Sequence, residues 1–196
     1  MTSAGWVLFE TPVGVCALAW TADGRLAACR LPDDDEERLR QRMRQRHGDA
    51  EQVLPPASVR GWITRLRAVM AGAPDTLADV PLADEALPPF HRRVWALARQ
   101  IPPGQTRHYA ELALALGEPG AARAVGQALG ANPFAPVVPC HRVLAARAGA
   151  GGFSAPGGTR TKLRLLELEG AALTPHPDQG GLFTDNRGLH DRPDPD

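Results

Sequence analysis

The spacing of apolar residues divides the chain into an early part with strand signals and a later part with helical ones. Trp6-Val7-Leu8-Phe9, residues 12–20 and residues 25–31 are short apolar runs between turn residues and read as three strands. Asp23-Gly24 marks the turn between the second and third. Asp33-Asp34-Asp35 then caps a charged helix reaching about His47, with acids first and arginines later, as a helix dipole favours. Val59, Ile63, Leu66 and Met70 form one stripe of a second helix over residues 57–70. Residues 72–89 are rich in Pro, Asp and Ala, lack periodicity and read as a connector, with a domain boundary in its last part.

Beyond that boundary the helical period dominates. Residues 90–101 form an amphipathic helix stopped by Pro102-Pro103-Gly104. Thr106 is placed to cap a helix running through Tyr109 to Leu116; after the turn Gly117-Glu118-Pro119-Gly120, residues 121–130 form a helix that ends at Asn132-Pro133. Two short helices joined by a tight turn are a helix-turn-helix pattern, a weak signal by itself. The divisions expected are residues 1–86, residues 87–172 and a Pro-, Gly- and Asp-rich tail over 173–196, the tail disordered.

Charge alters this picture more than composition does. Apolar residues make up 43% and charged residues 22% of the 196, as in an ordinary globular protein. Net charge is zero, but residues 90–170 hold ten Lys/Arg against four Asp/Glu, a local net of +6 that suits a polyanion on one face. No apolar run is long enough to span a bilayer, and the first residues lack a basic head with a long apolar stretch, so a cytoplasmic protein without membrane contact is expected. The three cysteines are an odd number with no Cys-x-x-Cys pair; Cys16 and Cys29 read as buried apolar side chains, and no metal site is assigned.

Cys140 stands apart, in Pro139-Cys140-His141-Arg142. A thiol reacts as its thiolate, which a base, a cation or a helix N-terminus favours. His141 is adjacent, and between sequence neighbours a relay through one water is the comfortable geometry. A carboxylate would orient the imidazole; Glu167 and Glu169 are both available, and spacing does not choose between them. Alone, the run is equally compatible with a buried structural thiol.

The wider context settles the question. Gly104-Gln105-Thr106-Arg107-His108-Tyr109-Ala110-Glu111-Leu112-Ala113, Ala121-Ala122-Arg123-Ala124-Val125-Gly126, Asn132-Pro133, Val138-Pro139-Cys140-His141-Arg142-Val143, Lys162, Leu165-Leu166 and Glu169-Gly170 together resemble the O6-alkylguanine-DNA alkyltransferases, or methylated-DNA–protein-cysteine methyltransferases, in order and spacing. The resemblance runs from about Phe90 to Gly170 and implies an α+β fold: a small N-terminal antiparallel sheet, ribonuclease-H-like, with helices, then a mainly helical domain with a helix-turn-helix. It implies irreversible, single-turnover transfer of an alkyl group to Cys140 from O6-alkylguanine in double-stranded DNA, with O4-alkylthymine as a secondary candidate. The protein is expected to act as a monomer without cofactor. His141 resembles the general base, Glu169 the residue orienting it, Tyr109 the proton donor to the departing guanine, and Asn132 the tie between the helix-turn-helix and the active turn.

By the same resemblance Arg123 fills the space of a base flipped out of the stack, on a helix whose small residues Ala121, Ala122, Ala124 and Gly126 approach the minor groove; Thr106 and Tyr109 join this DNA face. Val138, Pro139, Phe153 and Ser154 are expected to line the substrate pocket. Phe153 stands where many members carry Tyr, and residues 154–159 look longer than the compact loop of some relatives, which leaves the accepted alkyl size open. Arg92, Arg107, Arg147, Arg160 and Lys162 are phosphate-contact candidates, while Arg142 has either an internal partner or a phosphate. Trp95 reads as core. The main alternative is a non-catalytic alkyltransferase-like lesion-binding protein, but such proteins lack the acceptor cysteine. A cysteine hydrolase would leave the helix pair unexplained, and a helix-turn-helix regulator would not need Cys140, His141 and Glu169 together.

Overall fold

The structure, a computed structural model, describes residues 3–51, 54–145 and 154–171. Three antiparallel strands form one sheet in the order β1 (Gly5–Thr11), β2 (Gly14–Trp20), β3 (Leu26–Arg30). β2 reads as a continuous apolar run because both of its faces are covered. Cys16, Leu18 and Trp20 join the main core, while Ala17 and Ala19 pack with Trp6, Leu39 and Met43 on the other face. Leu39 and Met43 come from α1 (Glu36–His47), whose N-cap is Asp35, its side chain accepting from the Glu37 N–H. On the main-core side lies α2 (Ala57–Val69), with Val59, Ile63 and Leu66 buried. The sequence signals for these five elements hold to within a few residues.

The second half adds α3 (Pro89–Ala98), α4 (Tyr109–Ala115), α5 (Ala122–Gly130) and α6 (Gly158–Leu168). Its core is continuous with that of the sheet, so the elements on either side of the connector share one apolar interior. Trp95 is 1% exposed; its Nε1 donates to the Ala128 carbonyl at 2.9 Å, and its ring meets Phe134 edge-on, which locks α3 against α5. The helix cap assigned to Thr106 falls instead to His108, whose backbone N–H is held by the Glu111 carboxylate. Among the described residues no helix is long and apolar enough to cross a membrane.

Two short pairings position the site, and the sequence pattern announced neither. β4 (Arg107–His108) runs parallel to β5 (Val143–Leu144), which delivers Tyr109 beside the turn that follows Pro139. The free edge of β3 is covered by other backbone: the Cys29 N–H donates to the Pro133 carbonyl at 2.9 Å, and the Leu26 N–H to the Pro81 carbonyl at 2.8 Å. The sheet thereby fixes the segment that carries Asn132.

Candidate active site

The backbone around Cys140 is shaped by two tight turns. Pro139 sits at φ −82°, ψ 64°, and the Cys140 N–H bonds back to the Val138 carbonyl at 2.8 Å, an inverse γ-turn. A 3-10 turn over Cys140–Arg142 follows, its end tied by the Val143 N–H to the Cys140 carbonyl. Asn132 braces both turns. Its amide nitrogen donates to the Val138 carbonyl at 2.8 Å and to the Cys140 Sγ at 3.3 Å, while its Oδ1 accepts from the Phe134 N–H at 2.9 Å.

Glu169 reaches this turn from the end of α6. It is the C-cap, followed by Gly170 at φ 65°; the Gly170 N–H bonds the Glu167 carbonyl and the Ala171 N–H the Leu166 carbonyl, a Schellman arrangement that needs glycine's left-handed conformation. The carboxylate accepts from His141 Nε2 at 2.9 Å, from Arg142 Nε at 3.0 Å and Nη2 at 2.8 Å, and from the Gly104 N–H at 3.5 Å. Glu167, the other carboxylate considered, pairs with Arg164 at the surface and is 70% exposed. Arg142 is therefore internal, its Nη1 donating to the Ile101 carbonyl at 2.6 Å, and its phosphate option falls.

Burial pushes the Glu169 carboxyl up, but the hydrogen bonds and charges of His141 and Arg142 outweigh it and hold the group at about 2. Burial also lowers His141 below its ordinary 6.5 against the opposing pull of Glu169, so the ring is neutral at pH 7. A neutral imidazole facing an ionised carboxylate through Nε2 carries its proton there, which leaves Nδ1 as the basic nitrogen. That Nδ1 is buried without a hydrogen-bond partner among the described residues. Burial pushes the Cys140 thiol up, while the Asn132 amide and the charge of Lys162 draw it back. The group is a thiol at rest and needs a base.

Lys162 corrects an expectation. It is fully buried, donates to the Val143 carbonyl at 2.7 Å and stands 6.0 Å over the Tyr109 ring, so it reaches no phosphate. Burial lowers it to about 8. Arg107 is likewise internal at 1% exposure, bonding the Thr106 carbonyl. Thr106 is also 1% exposed, which removes its side chain from any DNA face. Arg160 is exposed and Arg92 half-buried. Phe153 and Arg147 lie outside the described residues.

Cys140 is 7% exposed and opens into a cleft of about 560 Å³ walled by Tyr109, Ala122, Arg123, Gly126 and Ser154. Arg123 is exposed in the first turn of α5, flanked by half-buried Ala121, Ala122 and Ala124. Gly126 faces the Tyr109 ring, which a Cβ there would meet at 3.9 Å. Burial and the neighbouring Cys140 raise the Tyr109 phenol, which stays protonated. Ser154 donates to the Gly130 carbonyl at 2.8 Å. Val138 and Pro139 do not line this cleft; the γ-turn directs them inward, and Gln127, Leu129 and Gly130, which the sequence did not single out, complete the wall.

Fold and site together define a cysteine–histidine–glutamate protein whose buried thiol opens into a cleft walled by a two-helix motif. A family profile described as "6-O-methylguanine DNA methyltransferase, DNA binding domain" matches residues 89–171. Among curated proteins, the methylated-DNA–protein-cysteine methyltransferase of Shigella flexneri is 45% identical over 113 residues, 58% of this chain and 64% of that one. That of Mycolicibacterium paratuberculosis is 41% identical over 160 residues, 82% of this chain and 88% of that one. The chain spans 64% of the Shigella protein and 48% of a similarly named Salmonella typhimurium relative. A crystal structure of Mycobacterium tuberculosis OGT in complex with DNA superposes with a TM-score of 0.67 at 35% identity, covering 92% of this chain and all of that one. The chain belongs to the methylated-DNA–protein-cysteine methyltransferase family.

Proposed function

We propose that the protein repairs DNA by moving the alkyl group of O6-alkylguanine onto Cys140, once per molecule. The observation that carries this reading is the pairing of a thiol at the floor of the α5 cleft with a neutral His141 fixed by Glu169 at 2.9 Å. His141 Nδ1 takes the thiol proton through one water, and the charge of Lys162 steadies the thiolate. The sulfur bonds to the alkyl carbon as the carbon–O6 bond breaks, and the electron pair goes to guanine. Tyr109 protonates the guanine ring as it leaves, so a neutral base departs rather than an anion. The product thioether is stable, which makes the event stoichiometric. O4-alkylthymine would enter by the same route.

The alkylated carbon is unreachable inside the base stack, so the nucleotide must be extruded, at about a few kcal/mol. Arg123, exposed in the first turn of α5, fills the gap it leaves, and the small residues of α5 let the helix approach the minor groove. The local net of +6 over residues 90–170 favours a phosphate backbone. With excess duplex carrying labelled O6-methylguanine, methyl transfer should stop at one group per chain. Continued turnover would instead indicate a hydrolase, and binding without transfer a lesion-binding protein.

A further inference from the structure

Arg142 touches the same carboxylate oxygen as the base. Glu169 Oε1, which meets His141 Nε2 at 2.9 Å, also accepts from Arg142 Nη2 at 2.8 Å and Nε at 3.2 Å. The other oxygen, Oε2, accepts from Arg142 Nε at 3.0 Å and from the Gly104 N–H at 3.5 Å. The remaining guanidinium nitrogen, Nη1, donates to the Ile101 carbonyl at 2.6 Å, which anchors the fork to the segment after α3. The carboxylate cannot rotate without breaking charge-assisted bonds to a rigid fork, so the oxygen offered to His141 stays fixed.

The charges of the cluster carry the argument further. The Glu169 side chain is 5% exposed, and a buried carboxylate needs a counter-charge. Among the described residues two cationic groups touch it, Arg142 and His141. Arginine is always charged, histidine only when protonated. With Arg142 in place the carboxylate is already balanced, and His141 can rest uncharged with Nδ1 open as an acceptor. Without it the carboxylate would draw a proton onto the ring, and Nδ1 would become a donor unable to take the Cys140 proton. The other charges are placed as follows. α6 brings Lys162 as well as Glu169, and Lys162 opposes protonation of the ring as Arg142 does. α3, which also packs on the turn, carries His91, Arg92 and Arg93; His91 lies against Trp95 and Arg93 pairs with Glu118. We propose that Arg142 is a positioning residue for the transfer: by balancing Glu169 and fixing its Oε1, it keeps His141 an uncharged base at neutral pH. This inference builds on the alkyl-transfer reading above. In that step the thiol proton passes through water to Nδ1, so thiolate and imidazolium form together, and the sulfur then bonds to the alkyl carbon.

The test uses Arg142→Gln, which removes the charge, and Arg142→Lys, which keeps the charge without the fork. Nitrogen NMR of histidine-labelled protein reads the His141 ring, its signal being the one lost in His141→Asn. Intact mass reads the rate of Cys140 alkylation by free O6-benzylguanine as pH is varied. The unaltered protein and Arg142→Lys should show a neutral ring protonated on Nε2 at pH 7, with Arg142→Lys slower by the same factor at every pH. Arg142→Gln should show an imidazolium at pH 7, and its rate should fall at least about tenfold more at pH 6 than at pH 8.5. A neutral ring in folded Arg142→Gln, or an equal loss at both pH values, overturns the proposal, because an arginine with a purely structural role would behave that way. If Arg142→Gln does not fold, the other two proteins decide: an imidazolium at pH 7 in either overturns the proposal, and neutral rings in both support it. If no adduct forms on Cys140 of the unaltered protein, the alkyl-transfer reading has failed separately, because the ring spectra report the coupling of Arg142 to His141 without it.

Discussion

Glu169→Ala is expected to destabilise the protein by about 3–5 kcal/mol, as measured by denaturant unfolding, because it strands a buried cation. Arg142 is 2% exposed, and three of its nitrogen contacts converge on this carboxylate and the Ile101 carbonyl. The pH dependence has a definite sign. Glu169 is held at about 2 against an ordinary 4.5, so its contribution to stability is complete above 4.5 and is lost as the pH falls from there toward 2. Glu169→Gln keeps the shape of the residue and serves the kinetic test. It should slow alkyl transfer by about 10²-fold or more, because His141 loses the anion that fixes its tautomer and stabilises its protonated form. A loss of stability under about 1 kcal/mol, or an unaltered rate in folded Glu169→Gln, would contradict these roles.

Arg123→Ala should separate chemistry from base extrusion. The side chain is exposed in the first turn of α5 and lines the cleft that opens on Cys140, and it has no partner among the described residues that its removal would orphan. Little loss of stability is therefore expected. Repair within a duplex should fall by about 10²-fold, matching the few kcal/mol of unstacking it helps to offset. Reaction with free O6-benzylguanine, which needs no extrusion, should change by less than about threefold. Equal losses in both assays would remove Arg123 from the flipping step.

The periodicity of the chain revealed its long elements because burial on one face, or on both faces of β2, is written in consecutive residues. What it concealed was non-local. β4 and β5 contribute two residues each and pair across 36 positions, so no short window of sequence contains both. The backbone covering of β3 by residues 81–83 and 133–134 has no side-chain signature. Lys162 read as a surface cation because charge within a helix ordinarily faces water; here the helix turns it inward to the Val143 carbonyl. Spacing left Glu167 and Glu169 open and the family resemblance chose Glu169; the physical reason is the Schellman ending at Gly170, which turns Glu169 to His141 and leaves Glu167 at the surface. Residue types at the site were legible through their resemblance to a family.

The most direct test of Cys140 as the acceptor is mass spectrometry of the intact protein after reaction with a duplex carrying one O6-methylguanine, followed by mapping of the peptide that holds Cys140. A gain of one methylene mass per chain, located on the Cys140 sulfur and accompanied by restored guanine in the DNA, is the expected result. A protein of unchanged mass, or an adduct on Cys16, Cys29 or any residue other than Cys140, would contradict it.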